Sequence, residues 1–214
     1  MLTVFQNDSA IGRVLNLLTE ILYVGILWVV TSLPIVTAGT AAVAAYYAMS
    51  KSVRHKTGYI SKEFWRSFRM NLKQALPLTI FILMILAVLG IDIWYVWTND
   101  SKTNSSIFMI LLLILFLFAG MTIYLFPLLS RFVTGNLNLL RMSFVVMFKF
   151  LPLTVLILLV TAAVGVGIYL MPWSVFILPG IYLYGFTFPM EWIMKKMMPE
   201  AQEGSDEAEK WYYS

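Results

Sequence analysis

The chain has no cysteine and one histidine, His55. Without cysteine there is no disulfide framework, no iron–sulfur cluster and no thiolate zinc site, and a single imidazole cannot build a metal centre alone. Charge is scarce: Asp, Glu, Lys and Arg together make up 12% of 214 residues, about half the share of a soluble domain. Short catalytic signatures are also missing. There is no Gly-x-Ser-x-Gly, no His-Glu-x-x-His and no Gly-rich loop ending in Lys, and a nucleophile would have to find a Lys or carboxylate base. The sequence points away from an enzyme and calls for no cofactor.

What is present is apolar. Hydrophobic residues are 60% of the chain, against about 45–50% in soluble domains. Several apolar runs approach or exceed the ~18 residues that mark a membrane-crossing helix. The fold class expected is all-α, a polytopic transmembrane helical bundle of about six spans, forming one domain over 1–198. Residues 199–214 follow as an acidic, disordered cytoplasmic tail.

The spans expected are 17–33, 40–53, 76–97, 107–129, 152–170 and 175–194. The first two are short for full crossings, because Pro34 ends helix 1 early. They form either a thin tilted hairpin or a re-entrant pair. The second is rich in small residues, with Ala41 and Ala45 on one face and Ala44 and Ala48 on another, which lets helices approach closely. Trp94, Tyr95 and Trp97 mark an interfacial aromatic belt. No cationic region leads directly into the first apolar run, unlike a secretory signal.

The net charge of +4 is not a nucleic-acid signature, because the cations cluster beside apolar spans. Lys51, Arg54, Lys56, Lys62, Arg66, Arg69 and Lys73 form the densest cluster. Wound at about 100° per residue, residues 60–73 place Ile60, Phe64, Trp65, Phe68 and Leu72 on one face and the last four cations on the other. That pattern predicts a separate helix lying in the membrane interface, with Ser61 as its cap, rings in the acyl boundary and cations toward anionic headgroups. A second interfacial stretch is expected over 130–150. With six spans, Lys102 alone falls on the side opposite the other cations. The positive-inside rule then puts both termini in the cytoplasm.

Two groups of candidate functional residues follow. The turn holding Pro34, Thr37, Gly39 and Thr40 has freed backbone groups beside a short helix, and irregular backbone at membrane depth is tolerated inside protein or along a watery cavity. It reads as a structural turn or as a cavity wall. Phe64, Arg66, Phe68, Arg69, Asn71 and Lys73 form a candidate partner or lipid contact. Asn71 lies on the apolar face, where it caps a backbone carbonyl or fixes the helix against a neighbour. Glu20 is expected to reach the interface. Glu191 is expected to pair with Lys195 four residues on, and no ionisable residue is expected deep within a span. Leu76-Pro77-Leu78-Thr79-Ile80 matches Leu151-Pro152-Leu153-Thr154-Val155, which reads as a parallel repeat or as chance similarity between leucine-rich spans.

Three motifs resemble those of the YesL-like family of bacterial integral membrane proteins. The first is Ser32-Leu33-Pro34-Ile35-Val36-Thr37-Ala38-Gly39-Thr40-Ala41-Ala42 with Tyr46-Tyr47. The second is Gly58-Tyr59 followed by Phe64, Phe68, Asn71 and Lys73, and the third is Tyr124-Leu125-Phe126-Pro127-Leu128. The resemblance covers about residues 10–195 and brings no catalytic residues. It implies a bacterial cytoplasmic membrane protein without established activity, whose relatives often accompany genes for carbohydrate uptake. The expected role is an accessory or scaffold component for an ABC importer, touching its permease or ATPase subunit, or a homo-oligomer. The alternative is a stand-alone small-solute channel.

Overall fold

The computed structural model describes residues 10–98, 102–132 and 134–197, and every regular element among them is helical. The acidic segment after 198 lies outside them. Seven α-helices follow in order: α1 (Ala10–Ser32), α2 (Ala38–Ala48), α3 (Ile60–Thr98), α4 (Lys102–Leu129), α5 (Asn136–Lys149), α6 (Leu151–Leu170) and α7 (Leu178–Met197). Four stretches are long and apolar enough to cross a membrane: Gly12–Ser32, Ile60–Thr98, Ser106–Leu129 and Leu151–Leu170. Exposed Met84, Val88, Ile91, Met109, Leu113, Leu159 and Val166 coat these helices. In water so much bare apolar surface would aggregate, and in a bilayer lipid covers it.

The core is built around α2. It packs most extensively on α3 and also touches α1, α4 and α7. Ala41, Val43, Ala44, Ala45 and Ala48 are fully buried. Small side chains let four helices converge on an eleven-residue one. Gly39 shows how tight this is: a β-carbon there would run into the Thr79 hydroxyl and the Phe126 ring.

Contacts sort the helix ends. Glu20 in α1 pairs with Lys56, and the Tyr23 and Ser61 hydroxyls lie 2.6 Å apart. Arg131, just past α4, bonds Glu191 in α7. The middle of α1, the loop after α2, the start of α3 and the ends of α4 and α7 therefore meet at one end, here the basic end. Trp97 and Phe108 meet at the opposite end, with ring centroids 5.8 Å apart.

Two expectations are corrected. The basic segment is not a separate interfacial helix. It is the first part of α3, which runs unbroken for 39 residues with Pro77 inside it. Proline removes the bond to the carbonyl four residues earlier. Here that carbonyl belongs to Lys73, and both residues are exposed, so surrounding water can satisfy it. Ser61 is not a cap either, because its hydroxyl faces Tyr23. The second correction concerns the end of α2. It passes into a π-helical stretch, Met49–Arg54, before the chain turns at Lys56, whose φ is 54°.

Where α7 begins, it crosses α1 almost backbone to backbone. A β-carbon on Gly180 would sit 2.6 Å from the Ile21 carbonyl oxygen, and one on Gly25 would sit 2.8 Å from the Gly180 Cα. Gly180→Val should therefore cost about 1–3 kcal/mol by overpacking. Gly90, in open space, supplies the control: Gly90→Ala should be neutral or slightly stabilising. Thermal unfolding of the purified variants in detergent checks both.

Candidate functional site

The basic end holds an ionic network that the sequence pattern did not disclose. Glu191 sits in the last two turns of α7 on the face that carries Thr187, Met190 and Met194, all buried. Its side chain is 3% exposed, and that of Arg131 4%. Arg131 Nη2 donates to Glu191 Oε1 and to Ser50 Oγ, each at 3.2 Å. The Ser50 hydroxyl donates to the same carboxylate oxygen. The second oxygen, Oε2, lies 3.1 Å from His55 Nε2 and 3.4 Å from Arg54 Nη1. Glu191 thus has partners far along the chain, beyond the expected pair with Lys195, and an ionisable residue is buried at a helix end.

The π-helical stretch supplies this geometry. Its wider turn carries both Ser50 and Arg54, and His55 N bonds back to Ser50 O at 3.1 Å. Such bulges often sit at functional sites. Arg54 also stacks on the Phe188 ring at 4.3 Å, while Tyr46 lies beneath the network with its hydroxyl 3.7 Å from Met194 Sδ. A second pair, Lys51 with Glu63 at 3.0 Å, joins the π-helical stretch to α3. No group of three or more potential metal ligands occurs among the described residues.

The expected contact residues divide. Phe64 is fully buried in the core, stacked 6.3 Å from the partly buried Phe68. It is a packing residue, so replacing it would disturb the fold rather than probe a surface. Asn71 donates back to the Ser67 carbonyl at 2.9 Å and contacts its hydroxyl at 3.2 Å. Arg66, Arg69 and Lys73 are exposed, as are Lys62 and Trp65. Along α3 the four cations form a ridge about 16 Å long, at ~1.5 Å per residue. Among the described residues none of them forms an ion pair.

The expected turn is ordered by its own residues. The Thr37 hydroxyl donates to Thr31 O at 2.7 Å and Pro34 O at 2.8 Å. Pro34 is exposed, whereas Gly39 and Thr40 are buried. The Thr40 hydroxyl has no hydrogen-bond partner among the described residues. Beside the turn, Trp28, Val29, Ser32, Leu33, Ala38 and Pro179 line an open, largely apolar groove of about 450 Å³.

Glu191→Gln keeps the shape and removes the charge, leaving Arg131 buried without its counterion. The expected loss is about 3–5 kcal/mol, the usual effect of breaking a buried pair from one side. Lys195→Gln, at an exposed position, should stay within about 0.5 kcal/mol of the parent. Denaturation in detergent distinguishes the two, and equal losses would return Glu191 to a local pair with Lys195.

Residues 21–93 match a family model described as "Protein of unknown function, DUF624". The match is narrower than the sequence resemblance. It includes the first two motifs and leaves out Tyr124–Leu128. Neither the curated proteins nor the solved structures include a match to this chain. From within α1 through α2 and into α3, the chain is thus similar to DUF624, the YesL-like family of unknown function, and the matched stretch is helical and membrane-like.

Proposed function

We propose that this protein is a non-enzymatic membrane scaffold that holds the basic ridge of α3 out from the bilayer for a partner protein. At ~1.5 Å per residue, the 39 residues of α3 extend about 58 Å, close to twice the ~30 Å of hydrocarbon a span must cross. With the crossing placed in the apolar part of α3, about residues 76–97, the surplus carries Lys62, Arg66 and Arg69 beyond the headgroups. The length of the helix is what supports a protein partner over the membrane surface for this face.

In the six-segment arrangement we propose, α1 and α2 form a short hairpin whose turn meets α3 at Thr79 and α4 at Phe126, short of the Trp97–Phe108 end. The α2 hairpin returns the chain to the basic end, and α7, 20 residues long, returns it again after α6. The excess of cations at that end makes it cytoplasmic by the positive-inside rule, which places both termini there. The membrane is then the bacterial cytoplasmic membrane. The partner class follows from the family resemblance, whose company with carbohydrate-uptake genes points to the permease or ATPase subunit of an ABC importer. Against a channel, α2 and its neighbours fill the middle of the bundle, and Ala44, Ala45, Tyr46 and Met49 are almost without exposed surface.

The test is mild-detergent capture of the tagged protein from its native host grown on polysaccharide, with partners identified by mass spectrometry. A stoichiometric importer subunit is expected. Arg66→Glu with Arg69→Glu, both exposed, should reduce its capture at least about tenfold, equivalent to about 1.4 kcal/mol. Full capture by the charge-reversed protein would sink the ridge as the docking face. Solute flux through liposomes holding this chain alone would replace the scaffold with a channel.

A further inference from the structure

Counting the charges at the basic end leaves several cations over, four of them in one row on α3. The chain has eleven acidic residues. At the basic end Glu20 is held by Lys56, Glu63 by Lys51, and Glu191 by Arg131, Arg54 and His55. Lys62, Arg66, Arg69 and Lys73 have no acid among the described residues to meet. Five acids, Glu200, Glu203, Asp206, Glu207 and Glu209, lie in the segment that follows α7, with one cation, Lys210. The unmatched cations and the unmatched acids belong to the same end of the molecule. α7 leaves the bundle at Met197, under two turns beyond Glu191, and Glu191 touches His55, five residues before α3 begins.

Reach does not limit an encounter. The residues from 198 to 214 span up to about 55–60 Å when extended, several times the length of the ridge. Trp211, Tyr212 and Tyr213 add rings suited to guanidinium faces, beside a ridge that already carries the exposed Trp65.

We propose that the acidic segment after α7 docks on the α3 ridge of its own molecule. Resting on the scaffold reading above, it competes there with the partner. The ridge is thereby covered until a partner with a stronger acidic surface displaces the segment. Because the contact is exposed, salt screens it: the Debye length falls from about 10 Å at 0.1 M to about 4 Å near 0.5 M.

The absence of cysteine makes the test clean. Spin labels at Met70→Cys, an exposed position beside the ridge, and Ser205→Cys report the separation by pulsed electron resonance. The full chain is used in nanodiscs of zwitterionic lipid. A narrow short-distance population is expected at low salt, and it should broaden near ~0.5 M NaCl. Arg66→Glu with Arg69→Glu should abolish it, and adding Glu203→Lys with Glu207→Lys should restore it. A broad distribution indifferent to salt and charge reversal overturns docking. So does a short distance that disappears once anionic lipid is included, since the ridge then belongs to the bilayer. Competition fails separately: removing residues 199–214 should raise partner capture, and unchanged capture removes the regulatory role while the measured distance still stands.

Discussion

A carboxylate buried among helix ends in a medium of low dielectric is the constraint on which the rest of this bundle depends. Glu191 and Arg131 are both almost wholly out of water. Desolvating either alone would cost several kcal/mol, and their mutual attraction offsets that only with good geometry and further hydrogen bonds. Ser50, His55 and Arg54 supply those bonds and contacts. An apolar plug of the same volume could stabilise the bundle as well. What the ionic version adds is registry. Sliding α7 by one turn, or rotating α2, would strand a charge, so the ends of α2, α4 and α7 are fixed to one another. The near-contact of α1 and α7 at Gly180 fixes the other end of α7 by sterics. The two ends of α7 are thus set by different forces, electrostatic at Glu191 and van der Waals at Gly180.

The same network explains the charge pattern outside. Each described acid at the basic end is already paired, Glu63 and Glu191 in the interior with Lys51 and the Arg131 group and Glu20 at the surface with Lys56. The cations of α3 beyond Glu63 are left facing outward by consequence. Buried acids take cations from the loop after α2 and from the end of α4, and the ridge gets none. A surface with a single sign of charge attracts whatever acidic surface comes within a Debye length.

Much of the fold was legible in the sequence because apolar length is a local property. The run from 107 to 129 lies within α4, and Pro152 marks the first turn of α6 as expected. The site was less legible. Periodicity weighs a residue against neighbours three and four positions away, which led to Lys195 as the partner of Glu191. Its partners in the network are 60 to 141 residues distant. One clue was available: Glu191 shares its helical face with Thr187, Met190 and Met194, a face too apolar to be exposed. The π-helical stretch left no comparable trace, since a wider turn is imposed by tertiary contacts rather than by composition. α3 was misjudged for a different reason. Pro77 reads as a helix start, but its lost hydrogen bond is inexpensive on an exposed helix face such as that of Lys73 and Pro77.

The matching Leu-Pro-Leu-Thr segments sharpen that last point. Thr79 and Thr154 are both buried, and each bonds back to the carbonyl four residues earlier, so the motif does the same local work twice. What precedes it differs. Before Pro77 the helix continues straight into the basic ridge. Before Pro152 the chain breaks at Phe150, with φ −117° and ψ 38°, and α5 folds against α4. α5 leaves Leu137, Phe144, Val145 and Phe148 exposed with Arg141 among them. An apolar outer face with a cation fits the acyl–headgroup boundary. The outer face of α3 before Pro77 is cationic. Two segments that start from one pattern therefore present opposite chemistry, one suited to lipid and one to an acidic protein surface. The choice between them rests on whether the helix breaks two residues before its proline.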